Sequence, residues 1–498
     1  MLGKISITAS TAILLMGAAA LPAQQLTPAE QTRIDSMLAR LVEMGASPSL
    51  GLVIVRDTQV VYLKGVGFAD IENRKPFTPE TAFYTGSTTK AFTALAAAIL
   101  DRQGRLKLDD PISRYLPGLR LRPPLNPDSI TIRSLVTHTH GIAGGAVQYR
   151  LAFTGEYRDN AHLIELLTEH NSALPDRNYR YSNLGYNIAG FVMDQVTGES
   201  WKETLNRLVF APLGMRNTTA HLSRVPLERR ALPYRLAPTG FRQMPYGKTD
   251  ASMQSAGGLV TTLADEARWL EAHLNDGKVD GRQVLPADVI REARKTQVPD
   301  TRRIRDVQMF GYGLGWHLGI YQGDTLVHHG GGFPGFAAYV GFSPTRRIGV
   351  AAFSNSRETG DAVMEMVFLG IFDVLAGRST MAEDSLPRFR AMLEQRRAGV
   401  RADLDRRAAR SQVTPLPLKA YAGRYENPAW GSLVLAMTPE GRLEARFGAL
   451  ASVVEVFDGA QHQLRTEAFG PGQIIALEVE NGVVIAARFD GNRYVRTP

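Results

Sequence analysis

Phe83-Tyr84-Thr85-Gly86-Ser87-Thr88-Thr89-Lys90 runs straight into Ala91-Phe92-Thr93-Ala94-Leu95-Ala96-Ala97-Ala98-Ile99-Leu100, and this junction decides how the chain is read. The Ala-rich apolar segment from Lys90 to Gln103, ended by Gly104, predicts a buried helix. With the helix beginning near Ser87, the serine hydroxyl lies where orphan backbone N–H groups and the positive dipole end collect. Lys90, three positions on, falls on the same helix face. A serine hydroxyl is a poor nucleophile until a neighbouring base or cation helps remove its proton. A lysine crowded by other donors loses its own proton far below its usual value of about 10.4. Ser-x-x-Lys occurs once in this sequence. The pattern also fits a serine N-cap followed by a solvated lysine, but the apolar run after Lys90 argues against solvation.

The 498 residues are 44% hydrophobic and 21% charged, which excludes a disordered or collagen-like chain and allows several domains. Cysteine is absent, so disulfides, thiolate metal sites and cysteine nucleophiles are excluded. The net charge of +8 raises nucleic acid or an anionic surface as partners. The distribution argues otherwise: between Arg378 and Arg410 nine arginines face five acidic residues, so about half the excess sits in one segment. No nucleic acid partner is expected. Lys4, the apolar run Ala12 to Ala20 and the small residues at Leu21-Pro22-Ala23 read as a signal peptide over residues 1–23, implying a periplasmic or secreted protein. An uncleaved anchor is the competing reading, but the run is shorter than the roughly 20 residues a span requires. No stable membrane span is expected after signal removal.

Thr27-Pro28-Ala29-Glu30 marks a helix start, and Ser49 to Val55 and Val60 to Gly67 flank Arg56-Asp57-Thr58 as a hairpin. Strands are expected again at Gly313 to Tyr321, Thr325 to His329, Phe336 to Phe342 and Ile348 to Ser354, then a helix from Asp361 to Leu375. That order predicts an α+β body whose sheet gathers both ends of the segment. Pro387 to Arg410 reads as a charged helical connector with a solvated face. From Tyr421 to Thr497 short alternating runs separated by turn residues predict a small all-β barrel or sandwich. It could shield a site's mouth, mediate self-association or hold a hydrophobic ligand.

Two further stretches carry chemistry. Tyr181-Ser182-Asn183 precedes the apolar run Ile188 to Val196 and offers a phenol and an amide; His328-His329-Gly330-Gly331-Gly332-Phe333 allows close backbone approach to a ligand. Ser-x-x-Lys, Tyr-x-Asn and His-x-Gly in this order resemble the serine β-lactamases and penicillin-recognising D-Ala-D-Ala peptidases, in particular the class C-like branch that also holds esterases and D-aminopeptidases. S-L-V-T-H-T-H-G-I at Ser134 to Ile142, F-A-P-L-G-M-R-N-T at Phe210 to Thr218, S-A-G-G-L-V-T-T-L-A-D at Ser255 to Asp265 and Y-G-L-G-W at Tyr312 to Trp316 add to the likeness. Y-A-G-R-Y-E-N at the start of the last segment resembles the lipocalin-like barrel appended to such hydrolases.

The resemblance implies a β-lactamase/transpeptidase-like domain over residues 28–375, an antiparallel sheet with a helical domain. An Arg-rich helical linker over 376–415 and a lipocalin-like barrel over 416–498 would follow. It implies Ser87 as nucleophile, Lys90 and Tyr181 sharing proton transfers, and Asn183, His329 and Gly331 contacting substrate. The N–H groups of Ser87 and Gly332 would form the oxyanion hole. No cofactor or metal is called for; the substrate would be a small molecule or short peptide, and a homo-oligomer is compatible. His329 stands where relatives commonly carry lysine, which tilts the expectation from carboxylate-bearing substrates to neutral esters or amides. A class C-like β-lactamase and a non-turnover penicillin-binding sensor are the alternatives. His140 stands where relatives often have serine. A metal reading of His138 and His140 with His328 or His329 lacks an acidic residue at a metallo-hydrolase spacing.

Overall fold

The computed structural model describes residues 25–244, 247–470 and 472–498, so the expected signal peptide lies outside the described residues. The first helix, Pro28–Glu43, opens as the sequence indicates: Thr27 and Glu30 cap each other's backbone in a capping box. The hairpin of Ser49–Arg56 and Gln59–Asp70 turns at Asp57, which takes a left-handed φ of 59°. Both strands belong to a nine-stranded antiparallel sheet, in which Ser49–Arg56 pairs with Ile348–Ser354 from Leu50↔Ser354 to Arg56↔Ile348. The expected closure of the sheet by both ends of the body is therefore present.

Ser49–Arg56 and Ile348–Ser354 are buried on both faces, and period-two alternation sends successive side chains to opposite sides of the sheet. Leu50, Leu52 and Ile54 point into a cluster with Ile34, Leu38, Phe368 and Phe372, from Pro28–Glu43 and the helix Gly360–Leu375. Val53 and Val55 point into the other cluster, which holds Phe92 and Trp269 of Thr89–Arg102 and Leu263–Leu274. Phe92 and Trp269 stack at 3.9 Å between ring centroids.

Three expectations shift. The strand expected from Gly313 begins only at His317, because Gly313 to Trp316 forms a tight turn with Gly315 at φ 81°. A Cβ at Gly315 would lie 2.5 Å from the Cα of Ala91, so this turn is pressed against the Ser87 helix. The connector helix starts earlier than Pro387: it spans Met381–Ala408, capped by Thr380 and Glu383, and carries Pro387 in its second turn. Ala451 to Phe457 divides into Leu450–Val453 and Glu455–Asp458, the two edges of a second nine-stranded antiparallel sheet. The chain steps directly from one edge to the other at Val454, leaving a nearly closed barrel. Among the described residues no helix is long and apolar enough to cross a membrane.

One core group sets a pH limit. Glu266 is fully buried, neither carboxyl oxygen has a hydrogen-bond partner, and burial lifts its pKa to about 8. Its folded value lies above its unfolded one, so stability is complete below the unfolded pKa and is lost as pH rises through the folded one. Thermal melts should show Glu266→Gln losing less stability than the native chain between about pH 5 and about pH 9. Parallel losses in the two proteins would exclude Glu266 as the source.

Candidate active site

A 3₁₀ turn at Gly86–Thr88 leads into the helix Thr89–Arg102 and presents Ser87 at the helix start. Lys90 is fully buried. Its Nζ lies 3.0 Å from Ser87 Oγ, 2.7 Å from Asn183 Oδ1 and 2.7 Å from the carbonyl oxygen of Ala256. No ion pair to Lys90 exists among the described residues, and burial holds its pKa well below the ordinary lysine value.

Asn183 begins the helix Asn183–Thr197, and Ser182 caps it by accepting the N–H of Leu184 at 3.2 Å. Tyr181 keeps 39% of its surface open toward the cleft and lies face-on to Lys90, 4.8 Å from Nζ to ring centroid. Desolvation raises its phenol pKa, against the opposing pulls of its hydrogen bond with Ser87 and the charge of Arg357. His138 packs on the Tyr181 ring at 4.5 Å and His317 at 6.2 Å. His138 holds a left-handed φ of 63°, and its Nδ1 accepts the N–H of Ser182 at 3.0 Å. His140 Nδ1 likewise accepts the N–H of Ile142 at 3.0 Å, and burial lowers its pKa to about 4. These are the bonds of structural, neutral imidazoles, which the S-L-V-T-H-T-H-G-I stretch supplies.

The third motif lies on Asp324–Phe333. Pairing with His317–Tyr321 ends at His317↔His328, so residues beyond His328 turn a free backbone edge toward Ser87. A Cβ at Gly331 would sit 1.9 Å from the carbonyl oxygen of Thr85 and 3.1 Å from the N of Ser87. One at Gly86, with φ 59°, would sit 2.6 Å from the N of Gly332. The backbones at Ser87 and Gly332 can approach this closely only because Gly86 and Gly331 carry no Cβ. His329 follows a different course from the motif's expectation. It is 2% exposed, its Nε2 lies 3.4 Å from the Tyr312 hydroxyl, and its ring sits beside Tyr181 and His317. Burial and the nearby Lys90 lower its pKa to about 3, so it is neutral and does not line the cleft.

The cleft measures about 440 Å³ and is lined by Ser87, Tyr181, Asn183 and Gly330 to Gly332. Arg305, Arg357, Asp361 and Glu365 complete its rim, and none of them was singled out from the sequence. Arg357 lies against Gly332, whose Cβ would fall 2.6 Å from its Cζ, and pairs with Asp361 at 3.5 Å. Arg305 is held by Glu365. The available signal was positional: Arg357 stands just past Ile348–Ser354, two strands from the glycine run in the sheet.

The sequence profile of the beta-lactamase family matches residues 34–367. The chain belongs to the beta-lactamase family. Protein flp of Staphylococcus aureus is 23% identical over 66% of this chain, which spans 64% of that relative's length. The unguisins hydrolase ungD of Aspergillus violaceofuscus is 25% identical over 84% of this chain and 76% of its own length. Among solved structures, the octameric penicillin-binding protein homologue of Pyrococcus abyssi superposes with a TM-score of 0.60 at 23% identity, covering 93% of this chain and 99% of that one. D-amino acid amidase of Ochrobactrum anthropi SV3 superposes with a TM-score of 0.60 at 24% identity, over 70% of this chain and 99% of its own. At these identities the structural likenesses establish the fold, which includes both the α+β body and the C-terminal barrel.

The glycine geometry is directly testable. Gly331→Ala should cost roughly a hundredfold or more in kcat, the scale of losing an oxyanion donor. Gly330→Ala, whose new Cβ would meet nothing nearer than the Tyr339 ring at 3.7 Å, should stay near native activity. Equal losses in both variants would refute the close-approach argument.

Proposed function

We propose that this family member is a secreted serine hydrolase that cleaves an ester or amide bond through an acyl-enzyme on Ser87. The observation that carries the reading is the surrounding of Lys90. A neutral amine has two N–H donors and one lone pair. Asn183 Oδ1 and the Ala256 carbonyl, each at 2.7 Å, can accept only, so they take the two donors. The lone pair is then left for the third neighbour, the Ser87 hydroxyl at 3.0 Å.

In this arrangement Lys90 accepts the serine proton as Oγ attacks the substrate carbonyl carbon, and the backbone N–H groups of Ser87 and Gly332 receive the developing oxyanion. Tyr181, its pKa raised by burial, starts protonated and can hand its proton to the leaving group. Environments that push two pKa values apart assign the acid and the base. Water then attacks the acyl-enzyme with the same groups in reversed roles.

The neutral, buried His329 supports neutral esters or amides, in line with the D-amino acid amidase and unguisins hydrolase among the similar proteins. Arg357 at the rim favours a second reading, hydrolysis of carboxylate-bearing substrates such as β-lactams. A panel of p-nitrophenyl butyrate, D-amino acid amides and nitrocefin separates the two. Fast turnover of the first groups with little nitrocefin hydrolysis supports the ester and amide reading, and the reverse supports the second.

Ser87→Ala should lower kcat by about 10⁴-fold or more with the thermal midpoint nearly unchanged. Retained turnover would sink the assignment. Rate should fall as pH drops through the depressed pKa of Lys90, because the protonated amine cannot accept the serine proton. Tyr181→Phe should reduce the rate but leave that acidic limb in place. A limb that moves with the tyrosine would transfer the base role to it.

A further inference from the structure

Outside the lining of the Ser87 cleft, the body, the long helix and the barrel meet around one carboxylate. Glu467 accepts from Arg242 at 2.9 Å, Arg407 at 3.2 Å and Arg465 at 2.9 Å, and it also pairs with Arg235. Arg235 and Arg242 come from the strands Tyr234–Leu236 and Phe241–Gln243, Arg407 from the helix Met381–Ala408, and Arg465 from the barrel strand Gln463–Thr466. Only Arg242 is substantially exposed: the side chains of Arg235 and Arg465 are 7% and 4% exposed.

This wall borders a cavity of about 510 Å³ lined by five arginines, Arg235, Arg242, Arg396, Arg407 and Arg465, against three carboxylates, Glu358, Asp403 and Glu467. Glu455 also pairs with Arg407 and Arg465, so the surplus is one positive charge. Hydrogen-bond donors are in surplus too. Among the described residues Arg235 and Arg242 each bond through Nη2 alone, both to Glu467, and Arg396 bonds through Nη1 alone, to the Glu358 carbonyl. A guanidinium carries five N–H donors in a planar fork, so most of the donors on these three side chains are uncommitted. Arg242 and Arg396 are exposed, so their free donors stand at the open side of the cavity, where an anion can reach them.

We propose that this interdomain cavity binds a phosphate group, free or as a phosphomonoester. The net positive charge favours an anion, and the tetrahedral acceptor oxygens of a phosphate suit forked donors arriving from several directions. The bound anion would join the body, the helix and the barrel, and so stabilise their arrangement by mass action.

Calorimetric titration of the full chain with inorganic phosphate and with glycerol 2-phosphate, at ionic strength fixed with sodium chloride, tests the site. The expected result is one saturable site per chain and a matching rise in thermal midpoint. Arg242→Gln and Arg396→Gln, both at the open side of the cavity, should each weaken binding by about tenfold. Tighter binding of the ester than of free phosphate would identify the esterified group as the ligand, and the reverse would identify the free ion. No saturable binding beyond chloride, or unchanged affinity in both variants, overturns the proposal.

Discussion

Burying a lysine amine with no carboxylate beside it constrains everything around it. Such a group is tolerated when it is neutral and when each N–H finds an acceptor. Here the acceptors come from two different elements, the N-terminus of Asn183–Thr197 and the Ala256 loop, while the amine itself rides on Thr89–Arg102. Those pieces are fastened to one another independently. Thr93 Oγ1 donates to the Ser255 carbonyl at 2.7 Å, Ser255 Oγ to the Tyr186 carbonyl at 3.0 Å, and the N–H of Ala256 to Asn187 Oδ1 at 3.2 Å. Tyr84 donates to the Gly257 carbonyl. The S-A-G-G stretch therefore serves the site through its backbone, beneath the Ser87 turn.

The electrostatics of the interior follow from the same constraint. His138, His317 and His329 surround Tyr181, and burial pushes each imidazole pKa down. A proton on any of them would be a charge held in a poorly solvated space. Keeping these rings neutral removes competing charges from around Ser87. The charged groups are confined to the rim, where Arg357 and Arg305 each face a carboxylate from Gly360–Leu375.

What the sequence disclosed, and what it hid, divides along physical lines. Ser87 and Lys90 were legible because one helix sets their spacing. The hairpin, the body sheet and the barrel strands were legible because alternation and turn residues are local signals. The Ala256 carbonyl was not, since every residue type carries one and only tertiary contact selects it. Arg357 was hidden for a similar reason: it reaches Gly332 from a neighbouring region of the sheet. Motif alignment located His329 along the chain, but it could not show that Tyr181, Tyr312 and His317 would enclose its ring.

The barrel is bound to the same machinery through the segment Gly145 to Tyr157. Arg150 donates to the carbonyls of Pro428 and Ala429, the N–H of Ala449 donates to the Thr154 carbonyl at 2.9 Å, and Glu156 accepts from Ser432. Phe469 of the barrel packs on Phe153 at 5.8 Å, and Phe153 stacks on Phe333 at 5.8 Å. Lys248 closes this set from the other side, donating to the Ala152 carbonyl and lying 4.1 Å over the Phe333 ring. Phe333 directly follows Gly332, so the strand proposed to supply an oxyanion donor is braced by a layer that the barrel holds in place. Arg150 is only 7% exposed. Without the barrel its guanidinium would lose two of its acceptors, and the segment would have to rearrange to hydrate it. The barrel is thus part of what fixes the geometry beside Ser87, although its strands supply none of the proposed catalytic groups.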